Sequence, residues 1–202
     1  YNCIHHKLHD RCIPCNDFFC FCKQCIYVIR YTMEFTDLIQ QRFSCKNFSD
    51  KAVPQEALDA VLAAGRLAPT AKNLQEQHIY VAQKPETLAV IDEATPCRYG
   101  AGTVLVVAYD RNNVFTYPGG KHNSGVEDAA IVATHMLLAA ANAGLDSCWI
   151  NFFNPEKLAA ALGLPENESI LMLLDLGYKA ENVKPLAHHF QRKPLSETVT
   201  YL

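Results

Sequence analysis

The chain has 202 residues, 18 of them basic and 21 acidic, for a formal charge of −3. A nearly balanced charge argues against nucleic acid or an anionic membrane as partner, since both are gripped by clustered Lys and Arg. Half of the residues are apolar, so residues 33–202 can build one domain with a real core.

Of the nine cysteines, six (Cys3, Cys12, Cys15, Cys20, Cys22 and Cys25) fall in the first 25 residues, and only Cys45, Cys97 and Cys148 lie in the body. That distribution denies a disulfide scaffold, and three scattered thiols fit a reducing, cytoplasmic setting. Asp17 and Lys23 interrupt any secretory hydrophobic region. Cys12-x2-Cys15 and Cys22-x2-Cys25 are separated by six residues, where a zinc ribbon needs about 15–20. The run Cys15, Cys20, Cys22, Cys25 also misses the bacterial iron–sulfur spacing. Residues 1–32 are therefore expected to lie outside the fold, as sequence upstream of the natural start or a gene-model artefact. A metal module is the alternative there, and no metal site is expected in the body.

From Met33 onward a regular order of elements is predicted. Phe35–Gln41 reads as a short amphipathic helix. Around Gln55–Leu67 apolar residues recur at i, i+3 and i+4 behind Pro54, which suits a first helical turn. A strand follows at His78–Ala82, then a helix near Glu86–Glu93, then Thr103–Tyr109. The last is apolar on both faces, as a central strand must be. Tyr117–Ser124 is a glycine-containing loop and the expected mobile edge of a pocket. Ser124-Gly-Val-Glu127 matches a capping box, opening a long helix that ends at Gly144. Glu127 and Asp128 read as first-turn charges, and His135 as a satisfied core residue. That helix is apolar nearly all round, so the core or a second subunit must enclose it. Strands at Ser147–Ile150 and Ile170–Gly177 flank a helix at Pro155–Leu162, and no regular period holds the tail from Lys179. Cys148 reads as plainly buried.

Two joints between elements carry unusual chemistry. Leu67-Ala-Pro-Thr-Ala-Lys-Asn-Leu-Gln links a helix to a strand with uncharged donors and acceptors at Thr70, Asn73 and Gln75. Such a loop suits a flat heterocycle whose edge alternates C=O and N–H; an ordinary polar connector is the competing reading. Arg42-Phe-Ser-Cys-Lys46 places two cations and a hydroxyl at a helix end, a plausible phosphate grip, against a solvated Arg/Lys pair. Competing motifs fail. Gly100-Ala-Gly102 lacks the third glycine of a dinucleotide fingerprint, Gly119-Gly120-Lys121 lacks the Walker A spacing, and neither Gly-x-Ser-x-Gly nor His-Glu-x-x-His occurs.

Four segments in order are Arg-x-Ser-x-Lys at 42–46, Ala-Pro-Thr-Ala-Lys-Asn-x-Gln at 68–75, Gly-Leu-Asp-Ser-Cys-Trp-Ile-Asn at 144–151, and Arg-Lys-Pro-Leu at 192–195. Together they resemble the FMN-dependent nitroreductase family, over the whole of residues 33–202. The resemblance implies an α+β homodimer with a central mixed, mostly antiparallel sheet flanked by helices. It implies FMN in clefts between subunits and NAD(P)H as electron donor, with a small-molecule acceptor. Cofactor contacts fall to Arg42, Phe43, Ser44 and Lys46; Pro69, Thr70, Ala71, Asn73 and Gln75; Trp149, Ile150 and Asn151; and Arg192 and Lys193. It assigns Arg42, Ser44, Arg192 and Lys193 to the phosphate, Lys46 to the N1/O2 edge of the ring, and the Pro69–Gln75 loop, at least in part, to the partner subunit. Many members have Gly or Glu-Gly where this chain has Asn151-Phe152-Phe153, so Phe152 and Phe153 become a candidate substrate wall, with ordinary packing as the alternative. The implied activity is reduction of nitroaromatics or quinones by a ping-pong hydride transfer with no catalytic side chain. Alternatives are dehalogenation or enoate reduction on the same fold, or a flavin-binding or metal-sensing module without turnover.

Overall fold

The computed structural model describes residues 33–202; the expectations for residues 1–32 lie outside the described residues. Residues 33–202 form one compact unit. In chain order its elements are α1 (Phe35–Gln41), α2 (Gln55–Arg66), β1 (Gln77–Ala82), α3 (Pro85–Ala94), β2 (Thr103–Asp110), α4 (Gly125–Asn142), β3 (Asp146–Ile150), α5 (Pro155–Leu162) and β4 (Glu168–Gly177). The four strands form one sheet in the order β1-β2-β4-β3 with every ladder antiparallel. Parallel pairing is confined to an isolated bridge between Ser44 and Ser147.

Three layers follow from the strand period of two. One face of the sheet, with Leu105, Val107, Met172 and Leu174, packs on Leu58 and Val61 of α2 and Val132 and Met136 of α4. The other, with Val104, Val106, Ile170 and Leu173, packs on Ile91 of α3 and Leu158 of α5. Residues Thr103–Ala108 of β2 are buried throughout, which is why that strand lacks the usual polar alternation.

Helix α4 ends as its glycine predicts. Gly144 takes φ +74°, the Leu145 N–H donates to the Ala140 carbonyl and the Gly144 N–H to Ala141, a Schellman close. Its start differs from the expected capping box. Ser124 already has helical angles (φ −79°, ψ −10°), so its hydroxyl cannot turn back onto the first turn. Ser124 Oγ instead accepts the Phe115 N–H at 3.1 Å, while Asn123 Oδ1 accepts the Gly125 N–H at 3.1 Å. Glu127 accepts the Tyr117 hydroxyl rather than closing a box.

Burial on α4 is one-sided. Ala129, Val132, Ala133, Met136 and Ala140 are buried, whereas Val126 and Ile131 are exposed. His135 is half-buried and has no hydrogen-bond partner among the described residues, so it is packed at the margin of the core rather than satisfied within it. The Tyr117–Ser124 loop is closed by bonds from the Tyr117 N–H to the His122 carbonyl and from the Gly120 N–H to the Tyr117 carbonyl, with a bridge between Thr116 and Asn123. It is a hydrogen-bonded turn.

Candidate active site

Past α1 the chain runs extended along the outer edge of β3. The Cys45 N–H donates to the Ser147 carbonyl at 2.9 Å, the Phe48 N–H to Tyr99 at 3.0 Å and the Ser49 N–H to Tyr178 at 2.8 Å. In extended backbone alternate residues face alternate sides. Cys45 and Phe48 are buried, while Ser44 and Lys46 stay exposed. The Arg-x-Ser-x-Lys spacing is thus the signature of one edge strip with its polar groups turned outward.

That strip forms one wall of a cleft of about 520 Å³, a size that suits a cofactor. Phe43, Ser44 and Lys46 line it from the strip, Trp149, Ile150, Asn151 and Phe152 from the end of β3, and Arg192 from the tail. Trp149 Nε1 donates to Asn151 Oδ1 at 2.9 Å, fixing the turn that follows the strand. Arg42 lines the adjoining cleft, which shares Phe43. Its guanidinium is held below the ordinary Arg value, by burial first and then by the positive charge of Arg192. Arg192 donates only to the main-chain carbonyls of His189 and Gln191, and neither arginine forms an ion pair among the described residues. Two neighbouring guanidinium groups without a carboxylate are set for an anion.

Six further lining residues were not assigned to a site from sequence: Cys97, Tyr99, Cys148, Leu186, His188 and His189. Tyr99 and Cys97 come from a short 3-10 turn and its end before β2, and both histidines from a 3-10 turn in the tail. Only the His-His pair three residues ahead of Arg192 was a signal available in the sequence. Cys148 is buried as expected, and its thiol is pushed up to about 12, chiefly by burial. Cys45, Cys97 and Cys148 are free. Phe152 is 73% exposed on the cleft wall, whereas Phe153 packs with the core below the sheet. The two phenylalanines therefore separate, one into the cleft and one into packing. Lys193 is not among the residues lining the cleft, and its Nζ lies 3.9 Å from Glu197.

None of Pro69, Thr70, Ala71, Asn73 and Gln75 lines this cleft. They form a loop whose Lys72, Asn73 and Gln75 all take left-handed φ, 53°, 56° and 53°, an arrangement non-glycine residues adopt at a cost. The Gln75 N–H donates to Thr70 Oγ1 at 3.1 Å and the Asn73 N–H to the Thr70 carbonyl at 2.9 Å, so the loop closes on itself. The predicted contacts thus fall into two sets on one chain, one around the cleft and one on this loop.

The model of the family described as "Nitroreductase family" matches residues 39–98 and 97–178. The chain belongs to the nitroreductase family. A protein of Archaeoglobus fulgidus provisionally named NADH dehydrogenase/NAD(P)H nitroreductase is 30% identical over 148 residues, 70% of this chain and 83% of the relative. A nitroreductase family protein of Clostridium difficile has a crystal structure that superimposes with a TM-score of 0.78 at 35% identity, over 84% of this chain and 98% of its own. Pig iodotyrosine deiodinase 1 is 24% identical, over 84% of this chain and 69% of the relative. Among the described residues, no helix is long and apolar enough to cross a membrane.

Proposed function

We propose that this chain is an FMN-dependent NAD(P)H oxidoreductase that reduces nitroaromatics, quinones or related acceptors in a ping-pong cycle. The observation that carries this reading is Arg192 beside Ser44 and Lys46 on a cleft walled by Trp149 and Phe152, with Arg42 close by in the adjoining cleft and neither arginine in an ion pair among the described residues. A phosphate dianion calls for cations from more than one segment, and here α1's end and the tail supply them. Arg42, Ser44 and Arg192 would hold the phosphate. Lys46, whose Nζ lies 5.8 Å from the Tyr99 ring centroid, offers a further cation to the ring edge. Bound FMN would supply hydride acceptance from NAD(P)H and its return to the acceptor; the protein binds, orients and excludes water.

The working unit in this proposal is a homodimer in which the second copy brings its Pro69–Gln75 loop to the cleft. Support comes from the apolar outer stripe of α4, with Val126 52% and Ile131 38% exposed, and from a tail that leaves Leu195, Val199 and Tyr201 uncovered. Residues 33–202 carry the activity in this reading, in a cytoplasmic setting that suits free thiols. A second reading, reductive dehalogenation, is favoured by the likeness to iodotyrosine deiodinase 1.

Purified protein should be yellow, bleach with NAD(P)H under anaerobic conditions, and regain colour on adding a nitroarene. Colourless protein that takes up no FMN overturns the reading. Bound FMN that stays oxidised in excess NADH would make the chain a binding module, and release of halide from a halogenated phenol would favour the second reading. Light scattering should give about twice the chain mass. FMN retained by a monomer would contradict the shared cleft.

A further inference from the structure

The loop Pro69–Gln75 sits over two buried carboxyl groups. Asp128 Oδ1 accepts the Ala71 N–H at 3.0 Å, and Glu76, at the loop's end, is 4% exposed. Asp128 stands on a helix and Glu76 just ahead of β1. Asp128 belongs to the first turn of α4, and the Glu76 carbonyl accepts the Asp110 N–H at 2.9 Å where β2 ends. Ser124 Oγ reaches Glu76 Oε1 at 3.4 Å, but Glu76 Oε2 and Asp128 Oδ2 are buried and meet no donor among the described residues.

Among the described residues neither acid forms an ion pair. On the loop, Lys72 Nζ lies over the Phe115 ring at 4.6 Å. On α4, Glu127 accepts the Tyr117 hydroxyl, and at the end of β2 Asp110 accepts from the Asn112 N–H and Asn167. Tyr109 of β2 presents its ring to Gly125. Two buried carboxylates side by side cannot both stay ionised, whereas a proton between them turns repulsion into a hydrogen bond. Burial first, and Asp128 second, push the Glu76 carboxyl up to about 7.

We infer that Glu76 and Asp128 are positioning residues, and that a proton kept on Glu76 beside Asp128 holds the Pro69–Gln75 loop in the shape the cofactor meets. The inference rests on the FMN reading of that loop and adds to it a pH control by two residues that touch no cofactor. When the proton leaves, the like charges separate, Asp128 withdraws from the Ala71 N–H, and the three left-handed residues relax.

The test is Glu76→Gln in the full-length protein, which replaces that proton by a permanent amide donor. Two quantities are measured from pH 6 to pH 9: the FMN dissociation constant, and the hydrogen-exchange protection of the Ala71 amide in cofactor-free protein. In wild type the dissociation constant should rise about tenfold across that range and Ala71 protection should fall. In the Gln variant both should stay level. Parallel profiles for wild type and variant overturn the inference. A wild type that takes up no FMN at any pH, yet loses Ala71 protection where the variant keeps it, leaves the proton clamp standing and rejects the FMN reading. If Glu76→Gln folds poorly, Asp128→Asn places the amide donor on the opposite side and supplies the same comparison.

Discussion

The edge strip Arg42–Phe48 and the loop Pro69–Gln75 are both short and polar, and each rests on a buried acid, but they are held by opposite means. The strip is stitched on both sides to its neighbours, from the Ser147 carbonyl to the bond between the Ala180 N–H and Asn47. The loop is closed mainly on itself and anchored from outside by the Ala71 N–H bond to Asp128 and by Asn113 Nδ2, which donates to the Leu74 carbonyl at 3.0 Å. Beneath the strip, Asp175 of β4 is fully buried with both oxygens unpartnered, and burial pushes it up to about 8 against the pull of Arg98. Beneath the loop, Glu76 shares its site with a second acid. A lone buried acid in a stitched wall has no loop to move. A paired acid under a strained loop can move it.

The largest expected effect breaks the loop's seat. A Cβ on Gly125 would collide with the Tyr109 ring and approach Val114 Cγ1 to 3.0 Å. Gly125→Val should therefore lower stability by about 3 kcal/mol, read by urea denaturation. No change would mean that Tyr109 swings aside and that the start of α4 is not a rigid anchor. On the strip side, Arg42→Ala should weaken FMN binding about ten- to a hundred-fold, because one charge-assisted bond to phosphate is lost. Turnover at saturating FMN should change far less. Lys193→Ala, removing an exposed lysine that faces Glu197, should move FMN affinity by no more than about threefold. Equal losses from both variants would place the phosphate nearer the tail than the strip.

The buried acid of the wall gives a smaller, pH-dependent effect. Folded Asp175 is raised to about 8 from an ordinary 3.8, so the unfolded chain releases this proton first. The stability it contributes is present below about pH 4 and is lost as pH rises toward 8, at a limiting slope of about 1.4 kcal/mol per pH unit. Asp175→Asn cannot titrate, so its stability relative to wild type should climb between pH 5 and pH 8 in thermal unfolding. A constant difference would show that Asp175 stays ionised beside Arg98. The smallest effect concerns the cleft's rim. Phe152→Ala should shift acceptor preference toward bulkier quinones, with the NAD(P)H half-reaction within about an order of magnitude of wild type. Identical acceptor profiles would return Phe152 to bystander status.

Element type was legible from local chemistry because periodicity and punctuation act over a few residues. The both-face apolar run at Thr103–Tyr109 declared a central strand, and Gly144 declared a helix end. Strand limits were less legible. The strand predicted from Ile170 begins at Glu168, whose carboxylate takes the Tyr80 hydroxyl at 2.5 Å and His78 at 2.7 Å from a strand not adjacent to its own. That pairing is set across the sheet and leaves no local mark.

By itself, the sequence determined the order of helices and strands and the segments rich in cofactor-type chemistry, since spacing alone places Ser44 and Lys46 on one edge and gathers the uncharged donors and acceptors of Thr70, Asn73 and Gln75 in one turn. Tertiary structure alone decided which of those groups meet. Arg42 and Arg192 stand some 150 residues apart in the chain and come together because the tail crosses the end of β3. Phe152 and Phe153 are neighbours in sequence, yet one faces the cleft and the other the core. Asp128 reads as an ordinary first-turn charge, and only the packing of α4 under the loop buries it against Glu76. Charge and burial are properties of the folded surroundings, so a carboxyl group's protonation cannot be read until the chain has closed over it.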